Sequence, residues 1–142
     1  MVVSKNDFTV IKLKSIDDLR GLFGKKPTEQ SWPYPFPYTY IFVSCIDKYV
    51  IKVGRSRQPY YRLQELNQQA RKFLGYEFKV CLLIDSPIYF ENELKKELRS
   101  CKFEVNSKIN GSTEFYDLRL CLWKKPETIV NKVILGICTQ QE

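Results

Sequence analysis

Residues 38–56 read YTYIFVSCIDKYVIKVGRS. Tyr38 to Ser44 and Tyr49 to Gly54 are rich in β-branched and aromatic residues, with Cys45-Ile46-Asp47-Lys48 between them, so the stretch reads as a β-hairpin. With the turn centred near Ile46, Tyr40 lies directly opposite Lys52, their Cβ atoms roughly 4.5 to 5.5 Å apart on one face. A slip of one residue would send the two side chains to opposite faces.

Gln58 and Pro59 open a helix to about Lys72, with Leu63, Leu66, Ala70 and Phe73 or Leu74 on one stripe, and Gly75 stops it. Phe78, Val80, Leu82 and Ile84 alternate as a third strand. Ser86-Pro87 then leads a second helix with Phe90, Leu94, Leu98 and Cys101 inward. Asn106 to Ser112 is a polar loop, Glu114 to Trp123 a further β-like run, and Pro126 starts a final helix with Ile129, Val133 and Ile137 on one face. Before the hairpin, Phe8 to Leu13 reads as a strand, and Ser15 with Asp18 opens a helix ending at Gly24. Trp32, Tyr34 and Phe36 alternate with prolines on an extended arm, because proline cannot donate to a sheet and restricts the residue before it. The expected fold is a small α/β (α+β) domain, a three-stranded antiparallel sheet flanked by helices. It divides into an N-terminal extension with the arm (1–37), a central domain (38–118) and a C-terminal extension (119–142).

A chain of 142 residues supports one domain with a real core. Its formal charge of +7 and pI near 9.1 favour an anionic partner such as nucleic acid. Histidine is absent, which removes Ser/His/Asp chemistry and most zinc sites. Cys45, Cys81, Cys101, Cys121 and Cys138 form no CxxC clamp and read as reduced thiols of an intracellular protein in the cytoplasm or nucleus. The N-terminus lacks the apolar core of a signal peptide, and no uncharged apolar run is long enough to span a bilayer.

YTY at 38–40, IKVGRS at 51–56, Arg62 in a Pro-led helix, ENEL at 91–94 and STEFYDL at 112–118 together resemble the GIY-YIG nuclease superfamily. The likeness is to its divergent phage- and virus-type branch, whose members read roughly YVY, KIG, R, ExxLH and GEWF. The resemblance covers about Tyr38 to Leu118 and implies a metal-dependent endonuclease acting on DNA, ahead of RNA, with Tyr40, Lys52, Arg62 and Glu91 as catalytic residues. It implies Tyr40 as general base beside Lys52 and Arg62, and Glu91 as the ligand of Mg²⁺ or Mn²⁺. Elementary chemistry agrees with these roles. A neighbouring ammonium or guanidinium favours a phenolate, an arginine fork suits a phosphate gaining charge, and a hard cation accepts one carboxylate while keeping several waters. Glu93 and Glu97 compete for the metal role, and the pair Glu91 and Lys95, four residues apart, is also ordinary helix-surface chemistry. Lys95 stands where that branch has histidine.

Asn106 lies at the interval of a phosphate-contacting asparagine in the family, with Asn110 an alternative, and Glu114 and Phe115 match the end of its pattern or close the last strand. Arg55, Arg57, Arg71 and Lys72 complete the expected nucleic-acid interface, whose grip would be strongly salt-dependent. The aromatic arm either covers the sheet or offers a surface to bases or a partner protein. The alternative function is a catalytically silent domain of the same type that binds nucleic acid or a protein.

Overall fold

The computed structural model describes residues 7–13, 37–122 and 124–140. The helix expected over 15–23 and the arm bearing Trp32, Tyr34 and Phe36 lie outside the described residues. The fold class is as expected, but the sheet has five strands rather than three, in the order β1-β4-β2-β3-β5, with every neighbouring pair antiparallel. The strands are β1 (Thr9–Lys12), β2 (Tyr38–Ser44), β3 (Val50–Ser56), β4 (Phe78–Asp85) and β5 (Phe115–Asp117). The helices are α1 (Pro59–Phe73), α2 (Phe90–Glu97) and α3 (Pro126–Gln140). The expected N-terminal strand is an edge strand on β4, anchored by Phe8 edge-on to Phe90 at 5.5 Å between ring centroids.

β2 runs through the middle and is buried on both faces. Tyr40 and Phe42 pack with Leu63, Leu66 and Ala70 of α1, whereas Ile41 and Val43 pack with Phe90 and Leu94 of α2 and with Ile129, Val130 and Val133 of α3. The C-terminal helix is thus half of one core layer. The alternation expected in β4 breaks, since the register shifts between Ile41 and Phe42 of β2, opposite Cys81. Phe78 and Val80 face α1, but Leu82 and Ile84 face the α2/α3 layer. One extra residue in a strand reverses its parity, so both layers receive apolar side chains from β4.

Two other expectations shift for local reasons. The run from Glu114 to Trp123 is a strand only over Phe115–Asp117, because the Asp117 carboxylate accepts the Arg119 N–H at 3.0 Å and turns the chain into a 3₁₀ turn at Leu118–Leu120. The hairpin pairs Tyr40 with Gly54 and Phe42 with Lys52, two residues from the expected register. Its turn is longer than expected. Ser44 Oγ accepts the N–H groups of Ile46 and Asp47 at 3.1 and 3.2 Å, Asp47 Oδ1 accepts that of Tyr49 at 3.0 Å, and strand pairing resumes only at Val50. A shift of two preserves parity, so Tyr40 and Lys52 still share a face, as diagonal neighbours.

Candidate functional site

Tyr40 and Lys52 both project toward α1. Their approach depends on Gly54. A Cβ built there would stand 2.2 Å from Tyr40 Oη and 2.4 Å from Cζ, so the phenol lies across a space only glycine leaves open. Lys52 Nζ donates to Tyr40 Oη at 3.4 Å and pairs with Glu114 Oε1 at 3.3 Å. That pair is sealed by Gly111, whose φ of +74° suits glycine and whose missing Cβ would sit 2.7 Å from both Glu114 Oε1 and Lys52 Nζ. On the first turns of α1, Arg62 pairs with Glu65 Oε1 at 2.9 Å and lies close enough to Tyr40 for the phenol to favour its charge. Burial works against the Arg62 charge, yet Tyr40, Glu65 and Glu114 outweigh it and hold its pKa above the ordinary value.

Glu114 is the centre that the sequence left ambiguous. β5 pairs with Val50, Ile51 and Lys52, and the Val53 N–H donates to the Glu114 carbonyl at 3.1 Å, so beyond Val53 no described strand covers the outer edge of β3. At this gap the two sides of the sheet communicate. Glu114 meets Lys52 from the α1 side and Lys95 of α2 from the other, and Lys95 in turn pairs with Glu91 Oε2 at 2.9 Å. Burial pushes the Glu114 carboxyl up, but the charge of Lys52 and the hydrogen bond and charge of Lys95 bring it below its ordinary value. Burial likewise pulls Lys95 down, and the hydrogen bonds and charges of Glu114 and Glu91 more than reverse this.

Tyr40, Lys52 and Arg62 therefore meet as expected, but Glu91 does not join them directly. It belongs to the opposite layer, flanked by Phe90 and Leu94 in that core, and reaches Tyr40 and Lys52 only through Lys95 and Glu114. Exposure divides the groups further. Tyr40 and Lys52 are 1% and 2% exposed, against side-chain values of 35% for Arg62, 26% for Lys95, 24% for Glu114 and 18% for Glu91. Solvent meets the cluster at Arg62, Lys95 and Glu114, with the phenol behind them.

The expected interface residues are dispersed. Arg55 Nη1 donates to the Ile88 carbonyl, Arg57 is exposed at the start of α1, Arg71 pairs with Glu77 at 2.8 Å and Lys72 lies 5.3 Å over the Phe73 ring. The last two sit at the far end of α1, about 20 Å from its start at 1.5 Å per residue. Asn106 is exposed and turns its own loop by accepting the Lys108 N–H at 2.9 Å. Its alternative, Asn110, is the asparagine at the site, donating to Glu65 Oε1 at 3.1 Å while its N–H donates to Gln69 at 2.8 Å. Basic residues gather on the outer side of Glu114, and of these the sequence singled out Lys95 alone. Lys95, Lys96, Arg99 and Lys102 line a cleft of about 530 Å³ with Glu114 and Tyr116. Their signal was the spacing of cations along one helix and the turn after it.

A divalent cation does not fit this arrangement. Among the described residues no group of three or more His, Cys, Asp or Glu side chains is placed to hold one. Glu91 and Glu114 already share the Lys95 ammonium, and Lys52 adds a second positive charge on Glu114. The expected Glu91 site would have to expel Lys95. Glu93 pairs with Lys96 at 3.2 Å and Glu97 with Lys132, so neither competitor is better placed.

The family model of the T5orf172 domain matches residues 37–135. It is a phage-type domain associated with nuclease-like proteins. No curated protein matches the chain, and no solved structure does. The match runs past Leu118 into α3, the helix that completes the second core layer.

Proposed function

Because the chain belongs to the T5orf172 domain family, we propose that it binds DNA and hydrolyses its phosphodiester bonds at the open flank of β3. The observation that carries this reading is the meeting of Tyr40, Lys52, Arg62 and Glu114, from four separate segments, around one partly exposed carboxylate. Arg62 offers its fork to the nonbridging oxygens, where charge grows as the fifth oxygen approaches phosphorus. Glu114 accepts a hydrogen bond from the attacking water and aligns it. The new O–P bond forms as the bond to the departing oxygen breaks, the water's proton passes through Glu114 to solvent, and solvent in the open cleft returns one proton to the departing oxygen. Tyr40 and Lys52 act as positioning residues, since at their burial they reach the phosphate only through Arg62 and Glu114. The basic cleft beside Glu114 supplies the track for the backbone on either side of the scissile bond.

The same burial favours a second reading, a catalytically silent binder in which the phenol and Lys52 only brace the sheet. One assay separates the two: end-labelled single-stranded, duplex and branched DNA incubated with wild type, Arg62→Ala and Lys102→Ala. Hydrolysis predicts cut ends with wild type, loss of at least about a hundredfold in rate with Arg62→Ala, and merely weaker binding with Lys102→Ala. Binding by wild type without any cut end would support the silent reading.

A further inference from the structure

Lys95 donates at once to carboxylates from two elements, Glu91 on its own helix at 2.9 Å and Glu114 ahead of β5. An exposed helix pair needs no such third partner, and its ammonium would stay in water. Here the side chain is about three-quarters buried between the two carboxylates. Tyr116, buried, lines the same cleft as Lys95 and Glu114.

The place shared by Glu91 and Glu114 is where a hard cation would have to bind. Mg²⁺ and Mn²⁺ seek oxygens at about 2.0 to 2.2 Å with charge to spare, whereas here two carboxylates are matched by two ammoniums, Lys52 and Lys95. We propose that the Lys95 ammonium is the resident cation of this site, holding Glu91 and Glu114 in the place otherwise given to a divalent metal, so that the chain works on nucleic acid without one. As a point charge with three donors, an ammonium can hold two carboxylates and turn the remaining N–H toward a phosphate oxygen in the cleft. The part concerning turnover rests on the proposed hydrolysis; the part concerning metal affinity does not.

Mn²⁺ titrated against the full chain, with free ion followed by electron paramagnetic resonance, reads the second part alone. Wild type is expected to show no stoichiometric site tighter than about 1 mM. Lys95→Met, of similar length but uncharged, is expected to gain one site at least about tenfold tighter, a change of ~1.4 kcal/mol. The added change Glu91→Gln is expected to remove it. One tight Mn²⁺ per wild-type chain that Glu91→Gln abolishes would overturn the proposal, and so would a folded Lys95→Met that binds no better than wild type. If Lys95→Met melts early, Lys95→Gln and the wild-type titration still decide. In parallel, the rate of DNA cutting by wild type, with DNA held above its dissociation constant in each buffer, should change less than about twofold between excess EDTA and added Mg²⁺. A tenfold loss in EDTA would contradict the proposal, whereas absence of cutting in both buffers would count against the hydrolytic reading alone.

Discussion

Glycine at position 54 is held there by the phenol of Tyr40, not by its own backbone. An added methyl group would stand 2.2 Å from a hydroxyl that accepts from Lys52, so Gly54→Ala must push Tyr40 out of a packed layer. We expect a loss of about 1 to 3 kcal/mol in urea unfolding. Gly136, inside α3 with nothing within 4 Å of its Cβ position, is the control, and Gly136→Ala should stabilise by about 0.4 to 1 kcal/mol. Lys52 and Glu114 give an asymmetric pair of outcomes. Lys52→Met leaves Glu114 its second partner Lys95 and fills the space beside Phe115 and Tyr40, whereas Glu114→Ala strands a fully buried ammonium. The alanine should therefore cost more than the methionine in the same unfolding experiment, since an uncompensated buried charge is the larger penalty. At this scale the sequence showed which residue types mattered and missed their geometry. Glu114 was legible only as the end of a motif, because nothing in a one-dimensional pattern says that the neighbouring strand stops beside it.

Among the elements, the helices were easiest to read. Their apolar stripes appear buried as expected: Leu63, Leu66 and Ala70 on α1, Phe90 and Leu94 on α2, Ile129, Val133 and Ile137 on α3. Periodicity survives because a helix makes its hydrogen bonds within itself. Strand register depends on turns and bulges outside the strand, and there the reading slipped. The hairpin moved by two residues because Ser44 and Asp47 side chains bond the turn's own backbone, and β4 changed parity at Cys81. The bulge carries its own test. Deleting Cys81 would bring Val80 and Leu82 together opposite Phe42 and Ile41 and leave Phe78, Val80 and Leu83 facing α1 and Leu82 and Ile84 facing α2 and α3, so the variant should keep a cooperative thermal transition by circular dichroism. A deletion variant without a sharp transition would show that the bulge itself, and not only the facing of the β4 side chains, is required.

For the whole molecule, charge sets the pH and salt responses. Glu114 has a folded-state pKa below its ordinary value of 4.5, so the folded form holds a proton there less readily than the unfolded form. The resulting stability is present above 4.5 and is lost as pH falls through the folded value. Asp117, held low by its hydrogen bond to Arg119, acts in the same direction. The melting temperature should fall on acidification from about pH 5, and Glu114→Gln should flatten the part of that curve due to the site. With a formal charge of +7, DNA affinity should fall steeply with added salt, and Lys102→Ala should reduce the slope of log affinity against log salt by about one phosphate contact. Among the described residues no helix is long and apolar enough to cross a membrane.

The central claim is that the carboxylate between Lys52 and Lys95 stands where a phosphodiester bond is broken. Its most direct test is the rate of cutting of end-labelled DNA by wild type and by Glu114→Gln, at a temperature where both are fully folded and with DNA held above its dissociation constant for each. Loss of at least about a hundredfold in the single-turnover rate, with binding retained, is the predicted result. Equal rates for the two proteins would contradict it.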